Sequence, residues 1–151
     1  MKIIVIDGQG GGMGRSIVSA LKQRMPDVSL LALGTNAQAT AAMLKAGADQ
    51  GATGESAIRY QCKTADIILG VTGILHANAM LGEISPAIAM AVSLSEAKKV
   101  LIPLERCGLY VAGVGKQPMD ALIREAARMV ESLVVNAETG SARKNNGGRY
   151  L

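Results

Sequence analysis

The chain has 151 residues, of which 49% are hydrophobic, 19% are charged and only 2% are aromatic, and its formal net charge is +4. This length fits one domain with a sizeable core, and the composition excludes an intrinsically disordered chain. Arg143, Lys144, Arg149 and Glu138 give residues 136–151 a balance of +2, half of the total, so the nearly neutral, aromatic-poor body is not expected to bind nucleic acid.

The first third of the chain has the pattern of a strand, a helix and a second strand. Residues 3–6 and 28–33 are short apolar runs typical of buried strands. Between them Met13, Ile17, Val18 and Leu21 recur at helical spacing. The unit has the length that a parallel crossover requires.

Strands and helices continue to alternate through the middle of the chain. Asn36 is placed to cap a helix that Gly47 ends, and Ser85 followed by Pro86 marks the start of another helix. The elements predicted between these signals are a helix over 37–46, a weak strand over Gln50–Thr53, a helix over 55–63 and a strand over Ile67–Val71.

The last predicted elements are two strands and a long helix. Only four residues separate "VLIPL" from "LYVAGV" (109–114), too few for a parallel crossover, so the second run is predicted to be an antiparallel edge strand. Residues 118–134 have the apolar period of an amphipathic helix. The sequence therefore predicts a three-layer, doubly wound, Rossmann-like α/β domain over 1–135, followed by a flexible polar tail over 136–151.

The loop "IDGQGGGMGRS" after the first strand is the main candidate site. In an open parallel sheet, ligands bind beyond the carboxyl ends of the strands, where a helix N-terminus attracts phosphate. The spacing Gly8-x-x-x-Gly12-x-Gly14 replaces G-x-G-x-x-G, because Met13 holds its sixth position. We expect a nucleotide-binding loop, the alternative being a tight turn with close helix packing. The candidate cofactor-binding residues are Asp7, Gly8, Gly10, Gly11, Gly12, Met13, Gly14, Thr35, Asn36, Thr72 and Gly73.

Two features of the candidate site argue against ordinary NAD binding. The end of the second strand has Thr35 and Asn36 but no carboxylate for the ribose hydroxyls, which lowers the expectation for NAD more than for NADP. Asp7 would repel a bound pyrophosphate unless a cation or Arg15 lay between them. Asp7 could instead hold Mg²⁺ or a ribose hydroxyl, or accept N–H hydrogen bonds from the glycine loop, and we favour the last of these.

Candidate catalytic residues are few. His76 is an acid–base candidate. Cys107 is a catalytic candidate because the neighbouring Arg106 would lower the pKa of its thiol, although a loop histidine and an inert cysteine are the plainer interpretations. Glu83 and Arg106 are candidates for contacting a substrate. An enzyme of this kind would be a small NAD(P)-linked oxidoreductase. The alternative is a non-catalytic, oligomeric structural or regulatory protein whose glycine loop is structural.

Several stretches of the chain resemble a known family: "VIDGQGGGMGRSIV", "ALGTNAQATAAMLKAGADQGATGESAI", "ILHANAMLGEISPAIA" and "KKVLIPLERC". They are similar to a family of small bacterial proteins, found mainly in Firmicutes and catalogued as a domain of unknown function. The resemblance covers roughly residues 1–134. It implies a bacterial, cytoplasmic protein with a Rossmann-like core, and it brings no established activity, substrate or catalytic residue.

The remaining patterns set expectations about cofactors and partners. The two cysteines form no C-x-x-C pair and there is one histidine, so no metal is expected. No signal-peptide layout or membrane-spanning run is present, so we expect a cytoplasmic protein without a membrane partner. NADP or NAD is the expected cofactor. A second copy of the chain is the expected partner, with the apolar region 74–91 buried between the copies.

Overall fold

The computed structural model describes residues 1–105 and 108–146, with side chains as far as residue 140. Strands and helices alternate along the chain. The strands are β1 (Ile3–Asp7), β2 (Leu30–Gly34), β3 (Gln50–Thr53), β4 (Ile67–Val71) and β5 (Lys98–Ile102). The helices are α1 (Gly12–Arg24), α2 (Ala37–Lys45), α3 (Glu55–Cys62), α4 (Pro86–Leu94) and α5 (Met119–Asn146), and a 3₁₀ turn covers Thr72–Leu75.

The five strands form one parallel sheet in the order β3-β2-β1-β4-β5. The chain moves outward from β1 to β3 and then returns past β1 to β4. Because parallel crossovers are right-handed, this reversal places helices on both faces of the sheet. Helices α1, α2 and α5 pack together as one layer, and α3 packs against α4 as the other. This arrangement confirms the three-layer Rossmann-like fold that the sequence predicts.

The core is formed by the two central strands and the helix faces that cover them. Every residue of β1 and of β4 is buried, as expected for strands covered on both faces. Helix α1 buries Ile17, Val18 and Leu21, three residues of the predicted helical period, while Met13 is partly buried. Because β1 pairs directly with β4 in parallel, the carboxyl ends of these two buried strands lie next to each other.

Two predicted helix caps are confirmed. The Asn36 side chain accepts a hydrogen bond from the N–H of Ala39 at 2.9 Å, and Ser85 Oγ accepts one from the N–H of Ile88 at 3.2 Å. Gly47 follows α2 with φ of 116°, a conformation that favours glycine. Among the residues described, no helix is both long enough and apolar enough to cross a membrane.

The predicted antiparallel edge strand over 109–114 is wrong. In the structure these residues form turn and coil, and all five strands of the described chain are parallel. Gly108, Gly113 and Gly115 have φ of 75°, 86° and 65°, which a β-strand does not accommodate. The apolar residues of this run were therefore a misleading signal, and Tyr110 is exposed.

The last helix extends beyond the segment that has an apolar period. The pattern predicts a helix over 118–134, whereas α5 runs over Met119–Asn146. Residues after 134 include alanine, glutamate, arginine and lysine, which have high helix propensity without adding an apolar face. The division into a domain over 1–135 and a flexible tail over 136–151 stays a prediction.

Candidate functional site

A cavity of about 410 Å³ lies at the carboxyl ends of β1 and β4. Its walls come from the glycine loop (residues 8–14), from the β4–α4 loop (residues 76–84) and from Leu104 and Leu109 after β5. Because the strand order reverses between β1 and β4, the cavity lies at the topological switch point of the sheet, where open α/β proteins hold their ligands.

Three glycines of this loop are required by packing. A Cβ at Gly11 would lie 2.7 Å from the Cα of Ala39, and Gly11 also has φ of 73°. A Cβ at Gly14 would lie 2.5 Å from the Sδ of Met43, and one at Gly8 would lie 2.7 Å from the Oγ1 of Thr35. These positions fit the alternative interpretation, in which glycines permit a tight turn and close packing of α1.

Gly10 and Gly12 have no such requirement. A Cβ at Gly12 would meet nothing within 4 Å, and one at Gly10 would meet only the Nε2 of Gln38 at 3.9 Å. Both residues line the cavity. Within the described chain, the backbone N–H groups of Gly10, Gly12 and Met13 have no hydrogen-bond acceptor. The first turn of α1 therefore presents free donors and open space to the cavity.

Asp7 is tied to the loop that follows it. Its side chain is buried, and Oδ2 accepts a hydrogen bond from the N–H of Gly14 at 2.6 Å. This is the interpretation of Asp7 that the sequence analysis favours. Burial raises the pKa of Asp7 above its ordinary value, the N–H groups of Gly14 and Gly8 oppose this rise, and the charge of Glu83 adds to it.

The raised pKa of Asp7 gives a pH-dependent prediction. The folded chain holds the Asp7 proton more tightly than the unfolded chain does, so this stabilisation is complete below the ordinary aspartate pKa and is lost as pH rises through the folded pKa. Asparagine at this position cannot titrate. We expect the wild type to lose stability relative to Asp7→Asn as pH rises from about 4 to about 8. Urea unfolding of both proteins across that range measures the difference, and the opposite slope would contradict the burial argument.

Glu83 reaches the end of β2 from the β4–α4 loop. Its Oε1 accepts hydrogen bonds from Thr35 Oγ1 at 2.9 Å and from Asn36 Nδ2 at 2.6 Å. The N–H of Gln9 donates to its Oε2 at 3.1 Å and to its Oε1 at 3.2 Å. Burial by itself would raise the pKa of Glu83, but the bonds from Asn36, Thr35 and Gln9 outweigh it and lower the pKa. These four residues form the Glu83 cluster.

The Glu83 cluster supplies the carboxylate that the sequence analysis found missing after the second strand. It also uses the polar groups of Thr35 and Asn36, which are among the candidate cofactor-binding residues. Asn36 caps α2 through Oδ1 and donates from Nδ2 to Glu83 and to the Gln9 carbonyl oxygen, and Thr35 donates to Glu83. Neither Thr35 nor Asn36 lines the cavity.

Both loops that form the cavity contain residues with a strained backbone conformation. These residues have φ between 53° and 66°, which residues other than glycine seldom adopt, and they are Gln9, Asn78, Met80 and Leu81. Gln9 Nε2 also donates a hydrogen bond to the carbonyl oxygen of Met80 at 3.2 Å. Such strain persists only where surrounding contacts impose it, and it is concentrated at ligand-binding and switching sites.

Comparison with protein families places the chain in a known group. A family model described as a domain of unknown function (DUF3842) matches residues 2–135. The chain belongs to the DUF3842 family. The match confirms the resemblance to a domain of unknown function, and its description carries no activity. A comparison with curated proteins found no match.

Of the remaining predicted site residues in this DUF3842 domain, some line the cavity and others do not. His76 and Gly73 line the cavity and so lie near the glycine loop. Thr72 instead links the end of β4 to the segment that follows β5, because its Oγ1 accepts a hydrogen bond from the N–H of Leu104 at 3.2 Å. Arg106 and Cys107 fall outside the described residues, so their predicted roles remain predictions.

Two observations concern the metal-ligating and thiol side chains in the described part of the DUF3842 domain. It contains no group of three or more histidine, cysteine, aspartate or glutamate side chains that could hold a metal ion. Cys62 is buried against the core, and burial raises the pKa of its thiol to about 11, so its thiolate is scarce at neutral pH.

Proposed function

We propose that the protein binds a nucleotide-type ligand in the switch-point cavity, with a ligand phosphate at the N-terminus of α1. The supporting observation is the pair of glycines whose side-chain positions are open, together with the free N–H groups of Gly10, Gly12 and Met13. A helix N-terminus carries about half a positive charge, which attracts an anion placed on those donors.

The ligand's second feature follows from the other walls of the cavity. Val71, Ala79, Met80, Leu104 and Leu109 are apolar and face the same space as the glycine loop. A base or another planar ring would bury its faces against them. NAD and NADP, the cofactors expected from the sequence, belong to this class of ligand. With such a cofactor bound, His76 is the side chain placed to move a proton as part of an oxidoreductase.

Thermal unfolding with a series of nucleotides tests the proposal. AMP, nicotinamide mononucleotide, NAD⁺ and NADP⁺ are each added over a wide concentration range. A ligand that binds only the folded chain adds about 2.7 kcal/mol of stability at a hundred times its Kd, so Tm rises with concentration. A Tm that stays flat for all four compounds would contradict nucleotide binding.

Self-association is a second candidate function, and the surface of α4 favours it. This helix contains no charged residue, and it exposes 60% of Met90 and 76% of Leu94. The exposed Leu81 lies in the loop that precedes it, within the region 74–91 expected to be buried between copies. Exposed apolar side chains grouped in this way are typical of protein–protein contacts.

Leu94→Arg is expected to shift the protein toward monomer. Because Leu94 is mostly exposed, the substitution should change the stability of the monomer by no more than about 0.5 kcal/mol, while a charge in the contact would block association. Light scattering after size-exclusion chromatography gives the mass of each variant. Met129→Arg on α5, where Met129 is 46% exposed, is the control. An unchanged mass for Leu94→Arg would exclude α4 as the interface.

A further inference from the structure

We propose that the crevice at the carboxyl ends of the strands is a half-site, because Glu83 closes the part of it beside β2. The part beside β4, which is the switch-point cavity, is open and binds a mononucleotide, that is, a phosphate monoester attached to a sugar and a planar base. This inference rests on the proposed function and narrows its ligand. A dinucleotide of the NAD type lies across the switch point, with its adenosine ribose at the end of β2 and its second nucleotide beyond β4.

The polar groups at the end of β2 are already occupied. The Glu83 carboxylate accepts hydrogen bonds from Thr35 and Asn36, and from the backbone of Gln9. A ribose bound there would have to displace Glu83 or share these donors with it. Displacement would leave the donors to be satisfied by the ribose alone, so binding of a dinucleotide must overcome the loss of these bonds.

The passage between the two sides of the crevice is also filled. Above Gly8, in the place a Cβ would take, three side chains converge: Thr35 Oγ1 at 2.7 Å, Met80 Sδ at 2.8 Å and Glu83 Oε1 at 3.7 Å. Thr35 follows β2, whereas Met80 and Glu83 belong to the β4–α4 loop, so side chains from both sides occupy the space beside Gly8. A ligand that extends from the cavity across Gly8 to the end of β2 would have to displace Met80 or Glu83.

The open space lies on the other side. The cavity of about 410 Å³ is lined by residues after β1, β4 and β5 and by no residue of the β2–α2 segment 35–36. Its lining includes Gly10, Gly12 and Met13, whose N–H groups are free, and the apolar residues Leu104 and Leu109. One phosphate suits the free N–H groups, and one planar ring suits the apolar lining.

The negative charge of Glu83 at the end of β2 also disfavours ligands that place a phosphate there. The hydrogen bonds that lower the pKa of Glu83 keep its carboxylate ionised at neutral pH. A 2′-phosphate on an adenosine ribose would be brought close to this negative charge, with an energetic penalty from like-charge repulsion. NADP⁺ is therefore expected to be the weakest of the ligands considered.

The test uses both halves of NAD⁺ as separate probes. Isothermal titration calorimetry measures the Kd of nicotinamide mononucleotide, AMP, NAD⁺ and NADP⁺ for the wild type, for Glu83→Ala and for Glu96→Ala. Glu96 is an exposed glutamate that precedes β5, at the opposite edge of the sheet, so its variant controls for loss of a charge. Circular dichroism establishes that each variant is folded.

The wild type should bind one mononucleotide at least about tenfold more tightly than NAD⁺, a difference of about 1.4 kcal/mol. Glu83→Ala should remove most of this preference by strengthening NAD⁺ binding, and Glu96→Ala should keep it. Wild-type binding of NAD⁺ as tight as that of both mononucleotides would overturn the half-site while supporting nucleotide binding. Absence of binding by all four compounds would overturn both.

The conclusion does not depend on the folding of Glu83→Ala. The preference of the wild type for a mononucleotide is measured without any substitution. Glu83→Gln provides a second variant that keeps the side-chain volume but places an amide where two carboxylate oxygens accept hydrogen bonds. It should also improve NAD⁺ binding relative to the mononucleotide, and an unchanged ratio in both variants would exclude Glu83 as the residue that closes the β2 side.

Discussion

Gly12→Ala is expected to remove most of the stabilisation by nucleotides while leaving the free energy of unfolding of the ligand-free protein within about 0.5 kcal/mol of wild type. A Cβ at this position meets nothing within 4 Å, and alanine favours the first turn of a helix at least as well as glycine. With ligand present, the added methyl group would occupy space that a phosphate oxygen needs to reach the Gly12 and Met13 amides.

The size of this effect follows from mass action. At a nucleotide concentration a hundred times the wild-type Kd, the ligand should raise the wild-type Tm by roughly 5–10 °C, and Gly12→Ala should lose most of that rise. Gly140→Ala is the matched control, because Gly140 also has open space at its Cβ position but lies in α5 away from the cavity. A full ligand-induced rise in Gly12→Ala would show that no ligand group approaches this amide.

Gly11→Ala should have the opposite pattern, with a large loss of stability that does not depend on ligand. Gly11 has φ of 73°, and an added Cβ would lie 2.7 Å from the Cα and 3.0 Å from the carbonyl oxygen of Ala39 in α2. The strained backbone and the overpacking together should reduce the free energy of unfolding by about 2–4 kcal/mol. Backbone atoms of α2 cannot rotate away as a side chain would.

Urea denaturation measures this loss through the midpoint of unfolding, with the slope of the transition expected to be unchanged. Gly10→Ala is a suitable comparison within the same loop, because its nearest neighbour is a flexible Gln38 side chain at 3.9 Å. Stability of Gly11→Ala within about 0.5 kcal/mol of wild type would show that α1 and α2 are not held at this distance.

The fold is well predicted because its signals are local. β4 has the predicted bounds, Ile67–Val71, since an uninterrupted apolar run between polar residues has few other structures in a small domain. Asn36 and Ser85 mark helix starts by hydrogen bonds to residues three positions later. The predicted edge strand is wrong for a related reason: apolar residues over 109–114 favour a strand, while Gly113 within this run, and Gly108 and Gly115 on either side of it, have positive φ.

The site is only partly predictable because its decisive contacts are distant in sequence. The glycine loop is one short segment, and the N–H of Gly14 donates to Asp7 only seven positions away. The sequence therefore indicated both. Glu83 meets Asn36 and Thr35 across 47 and 48 residues, and no spacing rule connects a loop glutamate with the end of another strand. Gln9 was also missed, since nothing in the sequence marks a non-glycine residue with positive φ.

Amide chemical shifts of the glycine loop test the central claim most directly. Titration of ¹⁵N-labelled protein with nicotinamide mononucleotide and with AMP should move the Gly10, Gly12 and Met13 resonances most, because their N–H groups are free. The Gly14 resonance should move less, because its N–H already donates to Asp7. Unchanged resonances throughout the loop with both compounds would contradict phosphate binding at the N-terminus of α1.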